Sequence, residues 1–475
     1  MARINTNVGA LVAQRNLAGS YGSLNSVIQR LSSGLRINRG ADDPAGLIVS
    51  ERLRSQVSAV KQAIDNTQRA STIIATTEGA LDEVARLLND IQDLIVEAAN
   101  TGAFSDDEIR ANQLQVDSAI ASITRIANST SFAGRQLLNG SLDYITSGVD
   151  AASVESLKIH GAQFGTRAYI PVNIEVTTSA QPAQLFFPNA TLTGDVNIEI
   201  QGNIGVTTLP FVSGTTDAQM VSAINAVSDA TGVTAVATPP SGFVLQSAEL
   251  GSRQFVSVKE LPGSGSFPVQ DAGGAITNRD EGRDAVALIN GARSLGDGNT
   301  LTLKTATLDL EVRLPDTFGL GTTAFSITQG GALFQVGPEV NSNLQVNIGV
   351  QSVSASQLGS GSVGFLSQIQ SGEDYSLIGG NMQRAQQIIN EAISQVAVMR
   401  GRLGAFEKNT LDTNKSQLSI TMENLTAAES SVRDADFAME TSNLSRAQIL
   451  VSAGTSVLAL AQQTPQSVLS LLGGR

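Results

Sequence analysis

Two interleaved series of apolar and small residues run along the C-terminal part of this chain, each stepping by seven. One is Met382, Ile389, Val396 and Leu403; the other is Ala385, Ala392, Met399 and Phe406, continuing through Thr413 and Ile420. Such spacing puts one stripe along one side of a helix, the pattern of a coiled-coil seam, and predicts helix from Met382 to Ala427. The first residues carry the same signature, with Leu17, Tyr21, Leu24, Ile28, Leu31 and Leu35 stepping alternately by four and three. Near the C-terminus Leu444, Val451 and Leu458 repeat at seven, as do Ala447, Gly454 and Ala461. A helix of this kind gains most of its stability by burying its apolar face. A chain with such helices at both ends is built to pair its termini or to polymerise.

Punctuation between the stripes divides the chain. Asp43-Pro44 reads as a helix start, a carboxylate to accept the first N–H groups followed by a residue that needs no N–H there. The helix it opens should run to about Asn100, with Leu81, Val84, Leu88, Ile91, Ile95 and Ala98 on one face. Ser105 and Glu108 form a capping-box pattern for the next helix, through Ile109, Val116, Ile120, Ile123 and Ala127. From about 140 to 365 Gly, Thr, Ser, Val and Asn dominate, and alternation replaces the helical period. Val196, Ile198 and Ile200, then Leu301 to Leu308, Leu310 to Leu314 and Leu344 to Val350, read as strands, and Asp217 to Asp229 as one short helix. Pro465 is expected to end the last helix and leave an apolar tail through Val468, Leu469, Leu471 and Leu472. The fold class is α+β and multidomain: long antiparallel or coiled-coil helices from paired N- and C-terminal segments, plus a β-rich insertion. The expected division is 1–41 with 433–475 as an inner terminal coiled coil, 42–165 with 331–432 as a helical core with some β, and 166–330 as a β-rich variable outer part.

Composition narrows the chemistry. The net charge of −13 over 475 residues argues against a general nucleic-acid binder, which needs clustered Lys and Arg on phosphates. With no cysteine there is no disulfide or thiol chemistry, and with a single histidine, His160, no metal or acid–base site built on clustered imidazoles. His160 reads as a strand or loop residue without a special role. The pairs Asp42-Asp43 and Asp106-Asp107 sit where helix N-termini favour negative charge. Gly319-Leu320-Gly321 lacks the strand–helix context of a nucleotide loop. No cofactor, metal or enzymatic activity is expected. The longest apolar run, Ile449 to Ala461, is interrupted by Ser452, Gly454, Thr455 and Ser456 and is shorter than the roughly 20 residues that cross a bilayer, so no membrane insertion is expected. Nor does Met1 to Ser20 contain the apolar run of a secretory signal.

The residues at both ends resemble one family. Leu31-Ser32-Ser33-Gly34-Leu35-Arg36-Ile37-Asn38, Asp42-Asp43-Pro44-Ala45-Gly46-Leu47 and Thr76-Thr77-Glu78-Gly79-Ala80-Leu81 are similar to the N-terminal region of bacterial flagellins. Ser445 to Leu450, Ala453 to Ala459 and Pro465 to Leu472 are similar to the family's terminal helix, and Leu192 to about Leu261 resembles a repeat module of flagellin and hook-associated outer domains. The resemblance implies a filament subunit: a homopolymer on the bacterial flagellum, outside the cell, whose termini line a hollow tube and whose β region projects outward. It further implies export in unfolded form through the flagellar type III apparatus, an export chaperone on the C-terminal helix, and cap and junction proteins as partners. The assembly residues it points to are Leu17, Tyr21, Leu24, Ile28, Leu31, Leu35, Leu444, Val451, Leu458, Ala461 and Leu469. Those of the core-helix seam are Leu88, Ile91, Ile95, Met382, Ile389, Val396, Met399, Leu403 and Phe406. In many flagellins the stretch matching Leu88 to Val96 carries two arginines and a glutamate that the vertebrate Toll-like receptor for flagellin contacts. Here Asp90, Gln92 and Asp93 stand in those places, and a charge-assisted fork is lost, so weak receptor activation is expected. A hook–filament junction protein is the alternative within the apparatus, and a secreted adhesin with a glycan-binding β region the alternative outside it.

Overall fold

A computed structural model describes residues 6–472 except 166, 190, 239–241, 263–264 and 306, and from 464 to 472 it describes the backbone alone. Its α-helices are α1 (Val8–Ser33), α2 (Pro44–Ala98), α3 (Asp106–Ser129), α4 (Asp217–Asn225), α5 (Ser228–Thr231), α6 (Met382–Phe406), α7 (Thr413–Arg433) and α8 (Phe437–Leu472). The chain forms two compact units, one of Met1–Arg69, Val336–Val340 and Thr410–Arg475, the other of Ala70–Gln335 and Asn341–Asn409.

In the second unit the helical stripes face inward as their spacing predicts. Leu81, Val84, Leu88, Ile91, Ile95 and Ala98 of α2 are buried, as are Ile109, Val116, Ile120, Ile123 and Ala127 of α3. On α6 the buried set is Ala385, Ile388, Ile389, Ala392, Val396, Met399 and Leu403, with Met382 and Phe406 half-buried. The capping box opens α3: the Ser105 amide donates to the Glu108 carboxylate at 2.8 Å, and the Glu108 amide donates back to Ser105 Oγ at 3.4 Å. The Ser105 amide, and the Ser105 hydroxyl donating to the same carboxylate at 2.8 Å, hold the Glu108 carboxyl below its usual range.

The β region of this unit holds two separate cores. The first lies between the sheet containing Tyr144–Ser147, Ile170–Thr178, Val286–Ile289 and Gly321–Gly330 and the sheet containing Ser156–Ala162, Thr300–Lys304 and Leu308–Arg313. Val172, Ile174 and Val176 of one sheet meet Ile159, Leu301 and Leu310 of the other. The second core is built from 183–269 around Val196–Gln201, Phe243–Ser247, Phe255–Glu260 and α4. Its centre is Phe187 stacked on Phe267, ring centroids 4.3 Å apart, with Phe243 beside them. The chain enters and leaves this second body side by side. Gln181 N donates to Arg283 O at 2.8 Å and Arg283 N returns to Gln181 O at 2.9 Å.

Several expectations are corrected. Leu301 to Leu308 is not one strand, because Thr305 closes a turn, its Oγ1 accepting from Leu308 N at 3.0 Å, between Thr300–Lys304 and Leu308–Arg313. Asp217 to Asp229 is not one helix. Asn225 turns its side chain onto the neighbouring strand, accepting from Ala235 N at 2.8 Å and donating to Ala235 O at 3.0 Å, and α4 stops there. The seam of α6 does not continue through Thr413 and Ile420, both of which are exposed. A π-helical segment, Glu407–Asp412, joins α6 to α7. Wider π turns absorb one extra residue, so the inward stripe moves to Leu411, Leu418 and Leu425.

In the first unit Val60 and Ala63 of α2 pack on Leu418 of α7, with Ile64, Met422 and Leu425 around them. The segment Val336–Val340 is pinned here by Asn414, whose Nδ2 donates to Val336 O at 2.8 Å. Asp43 opens α2 as its sequence predicts, Oδ1 accepting from Gly46 N at 2.9 Å. Leu35, read as part of the first heptad stripe, lies past the end of α1. Gly34 turns the chain at φ 69°, a left-handed value that glycine takes without strain, and Leu35 then bridges to Asp434. Pro465 does not end α8, which continues to Leu472.

Candidate assembly interface

α1 and α8 lie antiparallel, and their contacts fix the register. Asn7 Nδ2 donates to Ala461 O at 2.7 Å. A Cβ built on Gly454 would stand 3.0 Å from Leu17 Cδ1. Arg30 pairs with Glu440 at 3.2 Å, and Leu35 bridges to Asp434. Backbone bonds close the end of the pair, with Arg36 N donating to Arg433 O at 2.7 Å and Ala435 N to Gly34 O at 2.9 Å. Arg433 then reaches Glu51 on α2 at 3.0 Å. In the turn before α2, Asp42 Oδ2 accepts from Arg39 N at 2.8 Å and Asn38 N at 3.0 Å. These two amides hold its carboxyl below the usual range.

On α8 the face turned to α1 is Glu440, Leu444, Ala447, Val451, Gly454, Leu458 and Ala461, all buried or half-buried. This is the stripe its heptads predict. On α1 the facing stripe is Ala13, Leu17, Ser20, Leu24, Val27 and Leu31. Leu17, Leu24 and Leu31 belong to the heptad stripe of the sequence, whereas Ala13 and Val27 (each 8% exposed) lie outside it. Tyr21 and Ile28, read as members of the seam, sit on its open flank at 45% and 47% exposure. The signal was present, for Ala13 through Leu31 steps by four and three like the stripe beside it, but small residues dilute it. Those small residues are what lets the helices approach. The side chain of Leu469 lies outside the described residues.

The outer faces of the pair remain apolar. Val8, Leu11 and Val12 on α1 and Ile449, Leu450, Val457 and Leu460 on α8 are exposed large hydrophobics. By length and composition alone the 27 residues Phe437–Gln463 are also long and apolar enough to cross a membrane. An exposed apolar patch of this extent marks a surface that something covers. No cluster of His, Cys, Asp and Glu suited to a metal occurs among the described residues. His160 stands half-buried on the strand Ser156–Ala162. Of the three positions diverged from the receptor motif, Asp90 and Asp93 are exposed, and Gln92 donates to Asn390 Oδ1 at 3.0 Å.

Family models match the same two ends and the second β core. The bacterial flagellin N-terminal helical region matches 4–143, the bacterial flagellin C-terminal helical region matches 386–472, and the flagellin hook IN motif matches 195–249. A relative described as flagellin A, from Vibrio cholerae, is 30% identical over 470 residues that cover 99% of both chains. The chain belongs to the bacterial flagellin family. A flagellin from Salmonella typhimurium is 29% identical over 503 residues, again covering 99% of each chain. A solved flagellar junction protein, FlgL from Legionella pneumophila, overlaps at 12% identity over 81% of this chain and 99% of that one, with a TM-score of 0.29. As a flagellin, the chain is a structural subunit of the flagellar filament, and its relatives carry that name over their full length.

Proposed function

We propose that filament formation completes the terminal helix pair, so that assembly and the last step of folding are one event. The observation that carries this is the apolar outer face of α1 and α8, with Val8, Leu11, Val12, Tyr21 and Ile28 on one helix and Ile449, Leu450, Val457 and Leu460 on the other. In a lone subunit this surface meets water. In a filament neighbouring copies cover it, at roughly 1.5–3 kcal/mol per large side chain, partly offset by the entropy of ordering. Leu17, Leu24, Leu31, Leu444, Val451 and Leu458 hold the pair, and Tyr21, Ile28 and Leu469 join the surface between copies. The division is then 1–41 with 433–475 as the inner layer, 42–165 with 331–432 around it, and 166–330 on the outside.

The same exposed surface makes a folded free monomer prone to aggregate, which supports passage through the flagellar type III apparatus as an unfolded thread. It also supports a chaperone on the C-terminal helix before export, and a final location outside the cell with cap and junction proteins at the filament ends. Purified chain given sheared filament seeds should form long uniform tubes under negative stain, whereas a truncation from Leu444 onward or Leu458→Asp should form none while the β cores still melt cooperatively. Tubes from either variant would overturn the proposal. Exposed Asp90 and neutral Gln92, where the receptor motif has its two arginines, support weak activation of the Toll-like receptor. A nanomolar response in a receptor reporter cell would refute that part alone.

A further inference from the structure

Where the second β body joins the first, one carboxylate gathers two turns beside the stem. Asp284 follows Arg283, at the point where the chain returns to the first core. Its Oδ1 accepts from Ser252 N at 2.8 Å and from Gly298 N at 2.9 Å, and its Oδ2 accepts from Ser252 Oγ at 2.5 Å. Ser252 lies in the turn between Phe243–Ser247 and Phe255–Glu260 of the second body, and Gly298 in the turn between Leu295–Asp297 and Thr300–Lys304 of the first. Arg253 and Asp297 form an ion pair across the same two turns, and Gly251 N donates to Gln181 O at 3.3 Å. The backbones meet here with no room for a side chain between them. A Cβ built on Gly282 would stand 2.3 Å from Gly251 O and 2.8 Å from Gln181 O, and one on Gly251 would stand 2.8 Å from Gly298 N.

We propose that Asp284 buckles the second β body onto the first, a positioning residue that makes the body project at one fixed angle instead of swinging on its stem. The stem alone, Gln181 paired with Arg283, has the form of a hinge, since a few residues at the ends of elements suffice to absorb a swing. The bonds to Asp284 tie a turn of each body to that stem, so the body cannot turn without breaking them. They are bonds to a half-buried carboxylate, the stronger kind. The Arg253–Asp297 pair crosses the same joint, but both side chains are exposed and such pairs contribute little. The glycines let the turns come close enough for one carboxylate to reach both. This holds whether or not the chain is in a filament, because every group named belongs to one subunit.

The chain has no cysteine, so engineered thiols take spin labels cleanly. Ser213→Cys on the second body and Leu320→Cys on the first, both exposed, report the distance between the bodies by pulsed electron spin resonance on the full-length chain. The pair is measured on four backgrounds: unchanged, Asp284→Ala, Asp284→Asn and Gly282→Ala. Asparagine can keep all three bonds, Oδ1 accepting both amides and Nδ2 donating to the Ser252 hydroxyl, whereas alanine keeps none. Each bond lost to a charged acceptor lowers the closed-to-open ratio by about tenfold or more. The unchanged chain and Asp284→Asn should therefore give one narrow distance, and Asp284→Ala a broad distribution. Gly282→Ala leaves Asp284 in place but wedges the turns apart, so it should broaden the distance too, and it carries the test should Asp284→Ala not fold. Hydrogen exchange in Ile170–Thr178 and Val196–Gln201 should stay as in the unchanged chain, which separates a freed joint from an unfolded body. A broad distance in the unchanged chain, an unchanged distance in a folded Asp284→Ala or in Gly282→Ala, or Asp284→Asn as broad as Asp284→Ala, each overturns the buckle.

Discussion

His160 is the residue whose setting departs most from what its neighbours in sequence suggest. Its Nδ1 is buried without a hydrogen-bond partner among the described residues, and Arg402 of α6 donates to its carbonyl at 3.2 Å. Burial above all, then the positive charges of Arg402, Lys158 and Lys304, lower the imidazole from 6.5 to about 3. The unfolded chain therefore takes up this proton first. Stability from His160 is full above pH 6.5 and is lost as pH falls from there toward 3. Asp143, facing the same Arg402, is pushed up by burial and acts in the opposite sense, nearer its own carboxylate range. Denaturant unfolding at pH 6.5 and 4.5 should show the chain losing up to about 1.4 kcal/mol per pH unit, and His160→Gln should flatten that slope. Equal slopes in the two proteins would discard the assignment. A single histidine in a β-like run gave no sign of this, because its environment comes from α6, some 240 positions away in the chain.

At the scale of elements, the junction of α6 and α7 turns on one residue. Leu403 and Leu411 are both buried eight positions apart, after which Leu418 and Leu425 follow at seven. The π segment Glu407–Asp412 absorbs the surplus, and Ser71 donates to Glu407 at its start. Deleting exposed Asn409 should restore an unbroken heptad, keep Leu411, Leu418 and Leu425 inward, and leave stability within about 1 kcal/mol. Deleting exposed Ser416 instead rotates Leu418 and Leu425 by about 100° and should cost several kcal/mol, at roughly 1.5–3 kcal/mol for each large side chain drawn from its core. Thermal melts of the two deletions would decide it, and equal losses would reject the phase argument. The heptad stripe in the sequence runs straight through this point, because period alone does not announce a π turn. On α1 the large Tyr21 and Ile28 dominate the heptad pattern, whereas packing buries Ala13 and Val27.

For the whole molecule the telling feature is how the second β core joins the first. Gln181 and Arg283 exchange both backbone hydrogen bonds at its root. The strands on either side, Ile170–Thr178 and Val286–Ile289, already pair antiparallel in the first core. Removing 182–282 and closing the gap with a short glycine linker should therefore leave the first core folded. Because α1 and α8 are untouched, tubes should still form from seeds. Loss of the first core's cooperative melt, or of assembly, would show that the inserted body is needed. Its Phe187, Phe243 and Phe267 pack on one another and not on the first core.

Helix period, caps and heptads lie within a few turns of chain, and there sequence alone determined the outcome: α2 and α3 begin at their signalled residues, the α8 stripe faces its partner, and the motifs at both ends place the chain among the flagellins. What tertiary structure decided is what depends on distant residues meeting. It chose the face of α1 that meets α8, moved the seam at Glu407–Asp412, divided the β region into two cores, and carried α8 past Pro465. A local pattern records which face of a helix is apolar. Which neighbour covers it is settled only when segments hundreds of residues apart pack together.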